Sequence, residues 1–253
     1  MAEEKKQSKF PSEIIDLPSE GKIYSEGSPL RSGKIEIKYM TAREEDILTS
    51  QNLIKKGLVI EQLLDSLIMT PGVKTQDLYI GDKNAVMVAA RILAYGPEYV
   101  VSLDSELGGT VEHKFNLSEL EYRKFPEDLN QDGNEFVFIL PTGKNELKFK
   151  LLTGKDETAM EEELKSFSKI NETRDITTRL KWMITSIDGN DDKQYINNFV
   201  DNMLARDSLA FRKYWVAISP DILLQQEIVM EGGDEVLVDI PMTTNFFWPT
   251  DWL

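Results

Sequence analysis

Apolar and polar residues first alternate at Ile35, Ile37 and Tyr39, and that period of two predicts a short strand. The period then lengthens. Thr41-x-x-Glu44 is a capping box ahead of Ile47 and Leu48, with Glu44, Glu45 and Asp46 in a first turn where anions suit the helix dipole. One helix is therefore expected from 41 to about 56, broken by Gly57, and a second from 59 to 69, stopped by Pro71. A third is expected from near Asp82 to Gly96-Pro97. Ala85, Val86, Met87, Val88, Ala89, Ala90, Ile92 and Leu93 make it apolar nearly all round, which places it at the centre of the core. Arg91 lies on that helix, and its charge predicts a buried or half-buried ion pair with a carboxylate.

Before the first strand no such period exists. Residues 1–9 are polar and charged, the composition of a segment without structure of its own. Residues 10–33 hold Pro11, Pro18 and Pro29 with Gly21, Gly27 and Gly33, and few apolar side chains, so an extended arm on a surface is expected rather than a core element. After Pro97 the pattern becomes β-rich, with strands expected at 99–103, 110–115, 134–140 and 146–152 between turns of Gly, Asp and Asn. Helical spacing returns at 158–170, 175–187, 193–203 and 207–217, the last capped by Asp207, until Pro220. Residues 228–229 and 236–240 flank Glu231-Gly232-Gly233-Asp234 and read as a hairpin.

The fold class that follows is α+β: a mainly helical body with a β-rich middle insertion and a C-terminal β-hairpin. The divisions are an extended N-terminal arm at 1–33, a strand and helices at 34–96, the β-rich insertion at 97–152, and at 153–253 a helical segment with the hairpin and an aromatic tail. The two β regions are free to pair into one small sheet.

Charge narrows the partners. The net charge of −15 repels phosphate backbones and anionic lipid, which argues against nucleic-acid and membrane-surface roles. The most apolar window, 85–94, is too short to span a bilayer and contains Arg91. No apolar run follows the opening Met-Ala-Glu-Glu-Lys-Lys-Gln-Ser-Lys, so no signal peptide and a cytosolic site of synthesis are expected. With no cysteine, disulfides, thiolate metal sites and cysteine nucleophiles are impossible.

Candidate chemistry is sparse. The single histidine, His113, can be drawn into a triad with Asp104 and Ser105, but it sits in an expected strand without a nucleophile-elbow motif. No phosphate-cradling glycine pattern occurs. Asp128-Leu129-Asn130-Gln131-Asp132-Gly133 matches the first half of a calcium loop, which offers a calcium-dependent binding module as an alternative function. Its twelfth position is Ile139 rather than the bidentate glutamate, and a strand rather than a helix is expected there. No cofactor is implied. The aromatic tail stands out: Phe246, Phe247, Trp248 and Trp252 lie among prolines. Two readings stay open, a hot spot for a partner and a segment folded back on the chain's own core.

Several stretches, taken in order, point to a family. They are Leu17-Pro18-Ser19-x-Gly21-x-x-Tyr24, Met40-Thr41-Ala42-x-Glu44-Glu45-x-Ile47-Leu48, Gly81-Asp82 and Arg91-Ile92-x-x-Tyr95-Gly96-x-x-Tyr99. Asp207-Ser208-x-Ala210-x-Arg212-x-Tyr214, Ile218-Ser219-Pro220-Asp221 and Phe246-Phe247-Trp248-Pro249 follow. This series resembles the baseplate hub and hub-assembly proteins of T-even-like contractile-tailed bacteriophages. The resemblance implies a tail morphogenesis protein without catalytic residues, a hub subunit or a chaperone-like assembly factor. Its partners would be other baseplate hub and tail proteins, met in the host cytoplasm during assembly or in the virion tail baseplate, with self-association left open. Some members of that family carry Cys-x-x-Cys knuckles. Here 103–109 and 229–233 keep glycines without cysteines, so hairpins of similar shape must hold by packing alone. Proline-rich, aperiodic ends dock in extended form on partners. Ile14, Ile15, Leu17, Phe246, Phe247 and Trp248 are therefore the expected partner-binding residues.

Overall fold

Chain order and hydrogen bonding together lay out the architecture. The computed structural model describes residues 10–104, 110–127, 129, 133–168, 173–229, 235–242 and 244–247. β1 (Ser12–Asp16) pairs antiparallel with β2 (Lys34–Lys38), setting Ile15 against Ile35. α1 (Ala42–Leu48), α2 (Gln51–Lys56) and α3 (Val59–Leu67) lead to α4 (Ile80–Tyr95). A hairpin of β3 (Glu98–Asp104) and β4 (Thr110–Asn116) follows, then the short β5 (Tyr122–Arg123). β6 (Phe136–Ile139) and β7 (Glu146–Phe149) form a second hairpin, followed by α5 (Gly154–Ser168) and α6 (Asp175–Met183). β8 (Ile184–Ile187) joins the far side of β7, giving a sheet of order β6-β7-β8. α7 (Lys193–Asp201), α8 (Ala205–Ile218), β9 (Asp221–Ile222) and the β10 (Gln225–Val229)–β11 (Glu235–Asp239) hairpin complete the chain. The class is α+β.

α4 lies at the centre, as its sequence requires: Ala85, Val86, Met87, Val88 and Ala90 are all buried. Leu63, Leu64 and Leu67 of α3, Ile35 and Ile37 of β2, and Phe115 of β4 belong to the same core. An aromatic group of Phe136, Phe138, Phe149, Phe211 and Tyr214 joins the β6–β7 hairpin to α8, with ring centroids 4.9–5.7 Å apart for the closest pairs. Each such buried ring contributes roughly 1.5–3 kcal/mol by leaving water.

The structure differs from the sequence expectations in several elements, each for a local reason. The arm at 10–33 is part of the body: Leu17, Ile23, Tyr24 and Leu30 are buried. Four well-spaced apolar residues, with turns between them, suffice to fold it inward. The helix expected over 41–56 divides because the Thr49 hydroxyl donates to the Glu45 carbonyl at 3.1 Å and Ser50 is extended. The capping box itself forms, the Thr41 N–H donating to the Glu44 carboxylate at 3.0 Å. The helix expected over 175–187 ends at Met183, and Ile184-Thr185-Ser186-Ile187 is a strand instead, because the open edge of β7 accepts it and buries both isoleucines. The two β regions do not merge into one sheet. Among the described residues β5 and β9 pair across them, through Tyr122 on Ile222 and Arg123 on Asp221, and Gln226 Nε2 donates to the Asn116 carbonyl at 3.3 Å, while the β3–β4 and β10–β11 hairpins remain separate sheets.

Candidate partner interface

The family-like stretches converge on the two ends of α4. At its N-terminal end Asp82 occupies the first turn and is buried. Its carboxylate accepts from the Ser19 N–H at 3.0 Å, the Ser19 hydroxyl at 2.6 Å and the Tyr24 hydroxyl at 2.7 Å. The Tyr24 oxygen in turn accepts from the Tyr79 N–H at 3.1 Å, and the Tyr79 hydroxyl donates to the Ile23 carbonyl at 3.0 Å. Gly21, at φ +78°, makes the turn that brings Ser19 and Tyr24 to one carboxylate, and a side chain there would overlap the Arg31 carbonyl. Gly81 lies so close to Pro220 that a Cβ would overlap the Pro220 carbonyl oxygen. Beside it Asp221 accepts from Asn84 Nδ2 at 3.1 Å and from the Ile222 N–H at 2.8 Å. Burial pushes both Asp82 and Asp221 above the ordinary carboxylate range, against the pull of those donors. The cleft between Ser19, Tyr79, Asp82, Arg123 and Asp221 measures about 40 Å³, far below the size of a metabolite site.

At the other end stands Arg91, buried as expected but without the expected carboxylate. Its Nε donates to the Phe246 carbonyl at 2.9 Å, and its terminal nitrogens donate to the Gly96 and Glu98 carbonyls at 3.1 and 3.2 Å. The guanidinium also lies 5.1 Å from the Tyr95 ring centre and 5.9 Å from that of Tyr99. Three main-chain carbonyl dipoles, from Gly96, Glu98 and Phe246, take the place of the missing anion. Burial lowers the Arg91 pKa, and the two tyrosines oppose that shift. Phe246 packs edge-on against Tyr99 and Phe247, and the Tyr99 hydroxyl donates to the Pro241 carbonyl at 3.2 Å.

The six expected partner-binding residues thus have different surroundings. Phe246 and Phe247 are fully buried on the chain's own body, Leu17 is buried, and Ile15 is half-buried against the core. A partner contact through Phe246 would require the segment to leave Arg91. Ile14 is 65% exposed on β1, with its side chain open to contact. Trp248 lies outside the described residues. Asp207 does not cap α8, which begins at Ala205. Its carboxylate reaches across to accept the Thr142 and Gly143 N–H groups at 2.8 and 2.9 Å, fixing the β6–β7 turn. Burial favours a raised Asp207 pKa, and those N–H donors outweigh it and hold the group low. Pattern reading missed the Ser19–Tyr24–Asp82 network, whose one signal was an acid in the first turn of an apolar helix.

Among the described residues chemistry does not gather elsewhere. His113 faces Val101 across the β3–β4 ladder, its ring 4.7 Å from Phe115. Ser105 and most of the calcium-like loop, including Asp128, Asn130 and Asp132, lie outside the described residues. Ile139 is the last residue of a strand, not the start of a helix. Among the described residues no group of His, Asp and Glu side chains is arranged to hold a metal ion, and no helix is long and apolar enough to cross a membrane. A depression of about 450 Å³ runs along Ala85, Ala89 and Ile92 of α4 beside Leu117, Leu120 and Tyr122, with Glu121 and Lys124 also in its wall.

Buried charges fasten the chain's own segments, beneath a surface with isolated apolar side chains. The model of the family described as T4 bacteriophage base plate protein matches residues 12–210, and the chain belongs to that family. The match begins with β1 and ends within α8, so Asp82, Arg91 and Asp207 lie inside it. Neither the curated proteins nor the solved structures compared with it gave a match. The chain is a phage baseplate protein of structural role, and its partners are other baseplate proteins of the virion tail.

Proposed function

We propose that this protein is a subunit of the baseplate hub of a contractile tail, or a chaperone-like factor that assembles that hub, acting through protein contacts and without catalysis. The family match over 12–210 carries the reading. Support for the hub comes from the ordered series of motifs from Leu17 to Pro249, which resembles hub proteins along most of the chain. Support for a non-enzymatic role comes from the family and from the use of Asp82, Arg91 and Asp207 as internal fasteners. Contacts pass through β1 at Ile14, with Ile15 beside it. Leu17, Phe246 and Phe247 secure the two segments that present the partner surface, and Trp248 extends the second.

Two measurements test this. Mass spectrometry of purified virions and of assembly intermediates should find the chain with hub proteins in at least one of them, and its absence from both defeats the proposal. Co-purification with the other baseplate proteins of the same phage should succeed for the parent chain. It should weaken for Ile14→Asp, whose side chain is solvent-facing and whose melting temperature should fall by only a few degrees, the cost of a like charge opposite Glu36. Undiminished capture by Ile14→Asp removes β1 from the interface.

A further inference from the structure

The turn that follows α8 is fastened on two sides. The Ser219 N–H and hydroxyl donate to the Trp215 carbonyl at 3.0 and 2.6 Å, and the Ser219 carbonyl accepts from Arg123 Nε at 2.8 Å. Trp215, Arg123 and Asp221 thus flank one short stretch of chain, and with Asp82 they line the small cleft at the N-terminal end of α4. Each has polar capacity left over. The Trp215 indole nitrogen is buried and has no hydrogen-bond partner among the described residues. Asp221 accepts at Oδ1 from Asn84 and from the Ile222 N–H, while its Oδ2 stands 3.9 Å from Arg123 Nη2. That separation is too long for a direct hydrogen bond and is the kind a water bridges. Asp82 Oδ1 accepts the Ser19 N–H and has a lone pair to spare.

We propose that this cleft is the binding site of one internal water molecule, which accepts from the Trp215 indole N–H and Arg123 Nη2 and donates to Asp221 Oδ2 and Asp82 Oδ1. Size permits it: about 10–15 Å³ suffices for one water, and the cleft measures about 40 Å³. Chemistry selects water over an ion. A bare cation would suit the two carboxylates but would face an indole N–H and a guanidinium, which have only protons to offer. Chloride would suit those donors but would lie against two carboxylates. Water accepts twice and donates twice, which matches two donors and two acceptors. Held there, it ties α8 to β5, β9 and α4, and sets protons between two acids close enough to repel each other. The site belongs to the chain's own framework and is independent of which baseplate proteins the chain binds.

Nuclear magnetic resonance of the full chain with isotopically labelled tryptophan tests this. The indole signal of Trp215 is identified by its loss in Trp215→Phe. That signal should show direct magnetisation transfer to water, with the sign of a molecule that stays bound for longer than the protein takes to tumble. Ser219→Ala should leave the transfer in place, which separates water from the neighbouring hydroxyl proton. In Asp221→Asn the Ile222 N–H keeps the amide oxygen at the Oδ1 position, so an N–H donor replaces the acceptor at Oδ2 and the transfer should largely vanish. A high-resolution crystal structure of the parent gives a second measurement and decides the matter if the aspartate variant does not fold. It should show ordered density within hydrogen-bond distance of Trp215 Nε1, Arg123 and Asp221. No transfer in the parent, a transfer lost in Ser219→Ala, or one indifferent to Asp221→Asn overturns the proposal. So does a crystal structure in which the indole donates to a protein oxygen, or in which the cleft contains an ion or no density.

Discussion

Asp82 sits in the first turn of α4, where the helix dipole suits its charge, and Arg91 reaches from the C-terminal half of the same helix to carbonyls beyond its end. Replacing Arg91 by alanine strips the Phe246, Gly96 and Glu98 carbonyls of their donor inside the core. The expected loss is about 3 kcal/mol in urea unfolding, since each buried carbonyl left unpaired costs on the order of 1 kcal/mol or more. Arg91→Lys should recover little, because one ammonium cannot reach three separated carbonyls. A loss in the alanine variant below about 1 kcal/mol would mean that water replaces the guanidinium there. Asp82 gives a pH signature. Burial, reinforced by the nearby Asp221, raises its pKa in the native state above its unfolded value. The native state then holds the proton more tightly, so its contribution to stability falls as pH rises from the ordinary carboxylate value through the raised one. Asp82→Asn has no proton to release. The stability of the parent relative to this variant should decline as pH rises above the ordinary carboxylate value of about 4, and a flat or rising difference would contradict the raised pKa.

Elements were legible where local pattern and tertiary environment agree. α4 was visible because its apolar residues cover every side and the chain has nowhere else to put them, and the capping box of α1 formed from residues three apart. The β3–β4, β6–β7 and β10–β11 hairpins were visible for the same reason, since each pairs neighbours in sequence. What pattern could not supply was long-range. Ile184–Ile187 has helical neighbours and becomes a strand only because β7 offers an edge, and Asp207 resembles a cap until the β6–β7 turn comes within its reach. The candidate site was legible in its residue names but not in their surroundings: Phe246 and Phe247 were visibly unusual, but only the position of Arg91 tells that they point inward. Gly81 belongs to this long-range class and can be tested. Its Cα faces Pro220 with no room for a methyl group, so Gly81→Ala must part α4 from the Ser219–Pro220–Asp221 stretch. Overpacking of this kind typically costs about 1–3 kcal/mol, occasionally more. A variant as heat-stable as the parent would show that the two backbones separate freely.

At the scale of the whole molecule the chain closes by returning its last described residues to its centre. Residues 241–242 and 244–247 lie by the C-terminal half of α4, where Tyr99 holds the Pro241 carbonyl and Arg91 the Phe246 carbonyl. Phe246 and Phe247 are 0% exposed, which makes them as interior as Phe149 or Phe211. Deleting everything after Ile240 therefore removes two core aromatics together with the carbonyl that satisfies a buried guanidinium. Losing a buried phenylalanine costs about 3–5 kcal/mol, and a domain has only about 5–15 kcal/mol to lose. The shortened chain should unfold, or melt far below the parent, when followed by circular dichroism, and Phe246→Ala alone should fall between the two. The result also separates the two roles of this segment. A truncated chain that melts like the parent but no longer co-purifies with baseplate partners would make residues 241–253 a docking strap rather than a core element. A chain that unfolds makes 241–247 part of the core, and the partner surface is then sought first among side chains that the body keeps exposed, with Ile14 of β1 foremost.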